Sequence, residues 1–215
     1  MQPLTYRTLA GAAGAEIEVR RSRFLCDVGP VSTEEDARAV VERVRAASRD
    51  AGHHCTAFVL GPDAMTTRSN DDGEPSGTAG APMLEVLRGH ELTDVVAVVT
   101  RWFGGTLLGT GGLIRAYGDA VSAALAQART VTMARRTTTT VAVGHADGQR
   151  VENALRAAPG LAVTGVDYLA DGVRLHVAVE PAALDAFVGT VAALTSGAGR
   201  VTPGADLWVP VGGGS

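Results

Sequence analysis

Lysine is absent from this sequence, and aromatic residues make up only 4% of it. All 19 basic residues are arginine, whose side chain favours planar, bidentate contacts with phosphate and carboxylate groups. The formal net charge is −4, which argues against the broadly basic surface of proteins that coat nucleic acid. We therefore expect no specificity for DNA. The local arginine groups at 20–23 and 135–136 are interpreted as solvated strand ends and linker.

Long apolar runs are also missing. The longest, Val95–Val99, is far shorter than a membrane span, and the first residues do not follow the pattern of a signal peptide. Cys26 and Cys55 each lie in a strand-like segment, where buried thiols are favoured over a disulfide. These observations predict a cytoplasmic protein with no membrane partner.

The sequence does contain two segments rich in glycine and other small residues, at 69–80 and 101–118. Glycine loses much conformational entropy on ordering, so its dense use beside well-patterned strands indicates unusual backbone angles or close approach. We predict that the two segments form one composite surface, and that any function lies on it.

The second segment joins a buried strand to a helix, where free backbone N–H groups and the helix dipole can bind an anion. Gly104 and Gly109 have the outer spacing of a P-loop, but Thr110 occupies the lysine position. Ile114 stands where a dinucleotide fingerprint has its third glycine. The segment therefore matches neither nucleotide-binding motif.

Two interpretations of this segment remain open. Arg101 and Arg115 could face an outside phosphate, or the small residues could serve tight packing while Arg101 pairs with an acid of the first segment. Trp102 adds a ring suited to stacking on a base or docking on a partner. The candidate residues for binding an anion, RNA or a partner are Arg101, Trp102, Gly104, Gly105, Gly109, Thr110, Gly111, Gly112 and Arg115.

The first segment carries three carboxylates, Asp71, Asp72 and Glu74. They could hold Mg²⁺ through oxygen ligands, or they could cap backbone amides and pair with the arginines of the second segment. The latter is favoured, because short acidic turns commonly use their side chains locally. His54 is a candidate acid or base beside them, although a structural histidine is favoured there too. Because neighbouring strand residues point to opposite faces, only His53 with Cys55, or His54 alone, can address one site.

The pattern of apolar residues predicts an α+β protein with two domains and a short tail. The first half reads strand, strand, helix, strand, helix, strand, helix, with Ser32 and Glu35 forming a capping box on the first helix. The second half reads βαββαβ, the ferredoxin-like order. The predicted bounds are a first domain at 1–130, a linker at 131–136, a second domain at 137–210 and a disordered tail at 211–215.

Several long, ordered motifs make the first half resemble the IMPACT family, specifically its bacterial YigZ-type branch. They are Arg21–Phe24, His54–Cys55, Asp71–Pro75, Gly77–Gly80, Arg101–Gly105 and Leu108–Leu113. The resemblance implies a first domain like domain 2 of a small-subunit ribosomal protein, and a tandem similar to domains IV and V of elongation factor G. It also implies a role in translation, because eukaryotic relatives regulate translation initiation.

From these features we expect a non-catalytic regulator that binds RNA, the ribosome or a translation factor, and that needs no cofactor. One alternative is an Mg²⁺-dependent enzyme acting on a phosphorylated small molecule. Another is a protein-interaction module whose glycine-rich segments shape a docking surface.

Overall fold

A computed structural model describes residues 4–211, which adopt the predicted α+β fold class. A short 3-10 turn at Pro181–Ala183 precedes the last helix. In chain order the strands and α-helices are β1 (Thr5–Leu9), β2 (Ala13–Val19), β3 (Ser22–Pro30), α1 (Glu34–Ala47), β4 (His53–Leu60), β5 (Thr66–Asn70), α2 (Gly80–Gly89), β6 (Val95–Trp102), α3 (Thr110–Gln127), β7 (Thr130–Val143), α4 (His145–Ala157), β8 (Ala162–Leu169), β9 (Gly172–Val179), α5 (Leu184–Leu194) and β10 (Arg200–Val211).

The described residues divide into two compact units. One comprises the chain up to Met133 with the residues from Pro210 onward, and the other comprises Ala134–Val209. Their boundary falls inside the segment predicted as a linker, but that segment is part of the continuous strand β7. Arg135 of this segment donates a hydrogen bond to Asp206 of β10, and so does Thr137 directly after the segment. Of the predicted tail, Val211 ends β10, and 212–215 lie outside the described residues.

The first unit is built on an antiparallel sheet of order β2-β3-β6-β4-β5. Its central strand β6 lacks alternation because both of its faces are covered. Val95, Ala97 and Val99 pack in the same core cluster as residues of α2 and α3, whereas Val96 and Val98 pack in the cluster that contains the buried face of α1. The prediction that this run is buried on both sides is confirmed.

Helix α1 begins one residue later than its sequence pattern indicated. Thr33, not Ser32, is the N-cap: its hydroxyl accepts from the Asp36 amide, and the Asp36 carboxylate accepts from the Thr33 amide, both at 3.1 Å. The Asp36 carboxylate also accepts from the Ser32 amide. Both pairs have the three-residue spacing of a capping box, and the local backbone selects the second pair.

The second unit has strand order β10-β7-β9-β8. This order, together with the βαββαβ sequence of elements, is the ferredoxin-like arrangement predicted for this half. Strand β1 also pairs with β7, whose first residues belong to the first unit. Among the residues described, none of the helices combines the length and apolar character needed to cross a lipid bilayer.

Candidate functional site

The two glycine-rich segments meet at one end of the first sheet. The acidic loop (71–79) follows β5, and the glycine loop (103–109) follows β6. Both leave the sheet where β4 begins, because His53 of β4 pairs with Arg101 of β6. The turn between β2 and β3 lies at the same end, since Arg23 pairs with Trp102. Pairing in the sheet therefore brings together residues that are about thirty positions apart.

The centre of this end is a buried cluster around Glu74. One oxygen of its carboxylate, Oε1, accepts from Arg101 Nη1 at 2.5 Å and from the Tyr117 hydroxyl at 2.7 Å. The same oxygen lies 3.8 Å from His53 Nε2. Cys55 completes the set, with its Sγ 3.3 Å from the Tyr117 oxygen. We call Glu74, Arg101, Tyr117, His53 and Cys55 the Glu74 cluster.

Arg101 therefore pairs with an acid of the first glycine-rich segment and does not face an outside phosphate. Its side chain is only 7% exposed, and its ion pair with Glu74 joins the two glycine-rich segments. The guanidinium carbon also lies 5.4 Å from the centre of the Phe24 ring and 5.8 Å from that of Phe103. Its buried Nε has no hydrogen-bond partner among the described residues. This guanidinium is therefore buried against Glu74 and is not presented to an outside anion.

The thiol and the phenol of the cluster are protonated groups at neutral pH. Burial raises the pKa of Cys55 to about 12, and it also raises the pKa of Tyr117 far above its ordinary value. Cys55 is therefore a poor nucleophile, because the thiolate is the reactive form. Tyr117, which the sequence placed only in an apolar helix stripe, was missed as a site residue. A buried tyrosine hydroxyl needs a polar partner, and that requirement is the signal that could have identified it.

His53 and His54 point to opposite faces of the sheet, as their adjacency predicted. His53 Nδ1 lies 2.9 Å from the Asp72 carbonyl oxygen, so this nitrogen carries the proton and donates it. His54 is buried on the face of α1, and its Nε2 lies 3.1 Å from the Ser48 carbonyl oxygen. Its backbone N–H donates to Asp72 Oδ2 at 2.7 Å. His54 therefore holds the start of β4 in place, the structural role favoured from the sequence.

Each carboxylate of the acidic loop is engaged by protein groups. Asp71 accepts from the backbone amides of Gly77, Ala79 and Gly80, and Asp72 Oδ1 accepts from Arg45 Nη2 at 2.5 Å. Within 4–211 there is no group of three or more His, Cys, Asp or Glu side chains arranged to hold a metal ion.

Replacing Asp71 with alanine is expected to lower the free energy of unfolding at neutral pH by about 1–2 kcal/mol, since three backbone donors lose their acceptor. Burial raises the pKa of Asp71, but these three hydrogen bonds outweigh it and lower the pKa overall. The stabilisation is therefore present above the unfolded-state pKa of about 4 and disappears as the pH falls through the lower folded-state pKa. Urea denaturation of both proteins between about pH 7 and about pH 3 tests this. A difference that stays constant with pH would contradict it, and Asp119→Ala on an exposed position serves as the control.

The glycine loop packs closely on the turn between β2 and β3. A Cβ atom at Gly104 would lie 2.0 Å from the carbonyl carbon of Arg21, and the Gly104 amide donates to the Ser22 hydroxyl at 3.1 Å. Arg21 reaches across the loop to the Thr106 hydroxyl at 2.8 Å. The loop ends at Gly109, whose φ of +72° at the N-cap of α3 suits glycine. Close approach and turn geometry therefore account for these two glycines without a ligand.

Trp102 is also held by protein groups. Its indole N–H donates to Asp50 Oδ2 at 2.9 Å, and the guanidinium carbon of Arg23 lies 4.1 Å from the centre of its ring. This tryptophan is half-buried, so the candidate surface ring is Phe103.

The exposed part of this end consists of residues from the glycine loop, the start of α3 and the neighbouring turn. Phe103, Leu107 and Ile114 are 57%, 81% and 40% exposed. Arg115, which follows Ile114 in the chain, is also exposed. Arg21, which donates a hydrogen bond to Thr106 of the glycine loop, is exposed as well. Arg115 makes no hydrogen bond or ion pair with any residue that the structure describes. We call these five residues the glycine-loop face.

The remaining candidate residues border this face: Gly105 in the loop, and Thr110, Gly111 and Gly112 in the first turn of α3. A Cβ atom at Gly112 would lie 3.0 Å from Leu108 Cβ, whereas Gly105 and Gly111 have open space around them. Gly105 has a φ of +80°. The first turn of α3 has no side-chain cap, so its backbone donors are not used by a capping side chain.

Known proteins share both units of this chain. The family described as Impact N-terminal domain matches residues 20–125, and Domain of unknown function (DUF1949) matches residues 141–198. The IMPACT family member in pol 5'region of Thermus thermophilus is 36% identical over 163 residues, which cover 76% of this chain and 87% of that protein. This chain belongs to the IMPACT family.

Other comparisons agree with membership of the IMPACT family and with the YigZ-type resemblance. The IMPACT family member YigZ of Escherichia coli (strain K12) is 49% identical over 115 residues, 53% of this chain and 56% of that protein. A crystal structure of a hypothetical protein is 36% identical and covers 94% of this chain and 97% of its own, with a TM-score of 0.66. The chain spans about half the length of curated relatives such as YigZ.

Proposed function

We propose that this IMPACT family protein is a translation-associated regulator that acts by binding, and that its glycine-loop face docks on the ribosome. Family membership supports the association with translation, because the resemblance to eukaryotic members implies a regulatory role there. The ribosome presents both phosphate groups and protein surface, and the glycine-loop face offers partners for each.

The observation that carries this proposal is the exposure of three large apolar side chains, two on the glycine loop and one in the first turns of α3. Phe103, Leu107 and Ile114 leave apolar surface in water and lie within twelve residues of the chain. Contiguous exposed apolar surface is typical of interaction sites. Arg115 has no partner within the described chain and can bind a phosphate. The Arg21–Thr106 contact and the buried Glu74 cluster fix the loop, so little conformational entropy is lost on docking.

Binding is favoured over catalysis because the reactive side chains at this end are already satisfied. Glu74 and Arg101 are buried against each other, and the Cys55 thiol is held protonated by its raised pKa. Asp71 and Asp72 accept hydrogen bonds from the backbone and from Arg45. A substrate would have to displace these partners before reaching any of them.

Co-sedimentation of the purified chain with ribosomes tests the proposal. At low salt we expect the chain to pellet with ribosomes, and we expect Phe103→Ser and Arg115→Glu each to weaken binding roughly tenfold. Because phosphate contacts release counterions, binding by the parent chain should also weaken as salt rises. Both substituted positions are exposed, so the thermal unfolding midpoint should stay nearly unchanged.

Two matched controls use exposed positions elsewhere. Met65 is 79% exposed in the connection at the opposite end of β4, and Arg200 is exposed in the second unit. Met65→Ser and Arg200→Glu should bind like the parent chain. Failure of the parent chain to pellet at low salt would contradict the proposal. Equal losses in the controls would contradict the assignment to this face.

A further inference from the structure

The first unit also contains a cleft that the proposed function does not use. It has a volume of about 720 Å³ and lies between β1, the residues after β3 and one side of α1. All of its lining residues belong to the first unit. Its volume is within the range of about 300–1,000 Å³ found for sites that bind small molecules.

The walls of the cleft are mainly apolar. Leu9 of β1 and Val31 after β3 are buried beneath it, and Pro30, Val40 and Met133 contribute further apolar surface. An occupant with an apolar body would remove this surface from water, which is favourable in proportion to the area covered.

The two carboxylates in the cleft are already engaged. Asp94 Oδ1 accepts from the Gly61 amide at 2.8 Å, and burial together with a hydrogen bond to Asp94 raises the pKa of Tyr6. Asp36 caps the start of α1 by accepting from the backbone amides of Ser32 and Thr33. These donors are neutral amides, so both carboxylates keep their negative charge. Asp36 lies seven residues before Arg43 on the same helix, which is about 10 Å along its axis.

Arg43 is the charged group of the cleft that stays available. It is exposed on α1 and makes no hydrogen bond or ion pair within the described part of the chain. A smaller cavity of about 230 Å³ shares Val40 and Arg43 with the cleft and contains Asp27. Burial raises the pKa of Asp27, and Arg43 offsets this only in part. The guanidinium is thus near Asp27 but not paired with it, so it can accept a second anionic partner.

We propose that this cleft binds a small amphipathic carboxylate, with its apolar body against Leu9, Val31 and Val40 and its carboxylate on Arg43. An uncharged ligand of the same shape gains the apolar contact but leaves Arg43 without a partner. An ammonium head group placed beside Arg43 is repelled by the guanidinium.

Three probes with one apolar body and different head groups test this directly: octanoate, octanol and octylammonium, each below its micelle-forming concentration. Binding to the whole chain is followed by backbone amide NMR shifts. Octanoate should move the amides of β1 and of α1 between Asp36 and Arg43, and it should bind roughly tenfold more tightly than octanol. If octylammonium bound more tightly than octanoate, the two carboxylates and not Arg43 would set the preference, and the proposal would fail.

Variants separate the two parts of the interaction. Arg43→Met keeps an apolar stem, so it should reduce octanoate affinity roughly tenfold and leave octanol affinity unchanged. Arg38→Met, on the same helix but outside the cleft, should change neither. Ala39→Trp adds a bulky ring at an exposed position of the cleft wall and should weaken binding of both probes. These positions are exposed, so each variant should fold.

Several results would overturn the proposal. They are equal affinity of the parent chain for octanoate and octanol, absence of octanoate binding, shifts confined to other surfaces, and an unchanged octanoate affinity in Arg43→Met. Because the experiment involves neither ribosomes nor the glycine-loop face, its failure would leave the proposed function untouched.

Discussion

Replacing Glu74 with alanine is expected to lower the free energy of unfolding by about 3–5 kcal/mol, the range for removing one partner of a buried ion pair. The variant leaves the guanidinium of Arg101 buried without its carboxylate, and Tyr117 loses its acceptor. The acidic loop loses its link to β6 at the same time. Chemical denaturation at neutral pH measures the effect.

A double variant distinguishes pairing from simple packing. Glu74→Leu combined with Arg101→Met removes both charges and keeps apolar volume, so it should recover a substantial part of the stability lost in Glu74→Ala. Glu42→Ala, on an exposed position of α1, should change stability by no more than about 0.5 kcal/mol. If Glu74→Ala were as mild as Glu42→Ala, the ion pair would not stabilise this end of the sheet.

Replacing Gly104 with alanine is expected to cost about 2–3 kcal/mol, because the new methyl group collides with backbone. A Cβ atom there would lie 2.0 Å from the Arg21 carbonyl carbon and 2.4 Å from the Ser22 nitrogen. Backbone atoms cannot rotate away as a flexible side chain can, so the glycine loop must shift from the turn. Denaturation measures the cost, and ribosome binding should fall with it if the loop carries the docking face.

Gly111→Ala is the matched control for Gly104→Ala. Gly111 lies in the first turn of α3, where an added Cβ meets no atom within 4 Å. Alanine is the better helix former, so this variant should be neutral or more stable by up to about 1 kcal/mol. A loss at Gly111 equal to that at Gly104 would show that the loop responds to any added methyl group, and not to the contact with Arg21.

Together these variants distinguish the residues that hold the docking face in place from the residues that form its surface. Glu74→Ala and Gly104→Ala should lower stability and binding in parallel. Phe103→Ser and Arg115→Glu should lower binding alone, because their side chains are exposed. A stability loss in the latter pair would place these side chains in the core of the unit.

The elements predicted well from sequence are those whose own pattern fixes them. The run Val95–Val99 has no polar position, so a strand covered on both faces was the consistent interpretation. Strands β1 and β5 were missed because their own sequence patterns do not fix them as strands. Strand β5 reads Thr-Thr-Arg-Ser-Asn and is half-exposed to exposed throughout. It is a strand because β4 supplies its hydrogen-bond partners. The strand preference of its own residues does not predict this pairing.

The role of Arg101 shows where sequence reasoning stopped, and why. Counting by two along β6 places Arg101 on the same face as Ala97 and Val99, which was a usable sign that it points to the core. The count does not show that a carboxylate of the acidic loop lies next to the Arg101 guanidinium. The pairing of Arg101 with Glu74 depends on the course of a loop that has little regular pattern.

The sequence by itself determined the α+β class and the family, because periodicity and motif spacing are properties of the chain. The tertiary structure alone decided which arginines are free. Arg101 is held by Glu74, whereas Arg115 and Arg43 have no such partner in the described residues. Whether a charge is available depends on distances between segments far apart in the chain, and folding sets those distances.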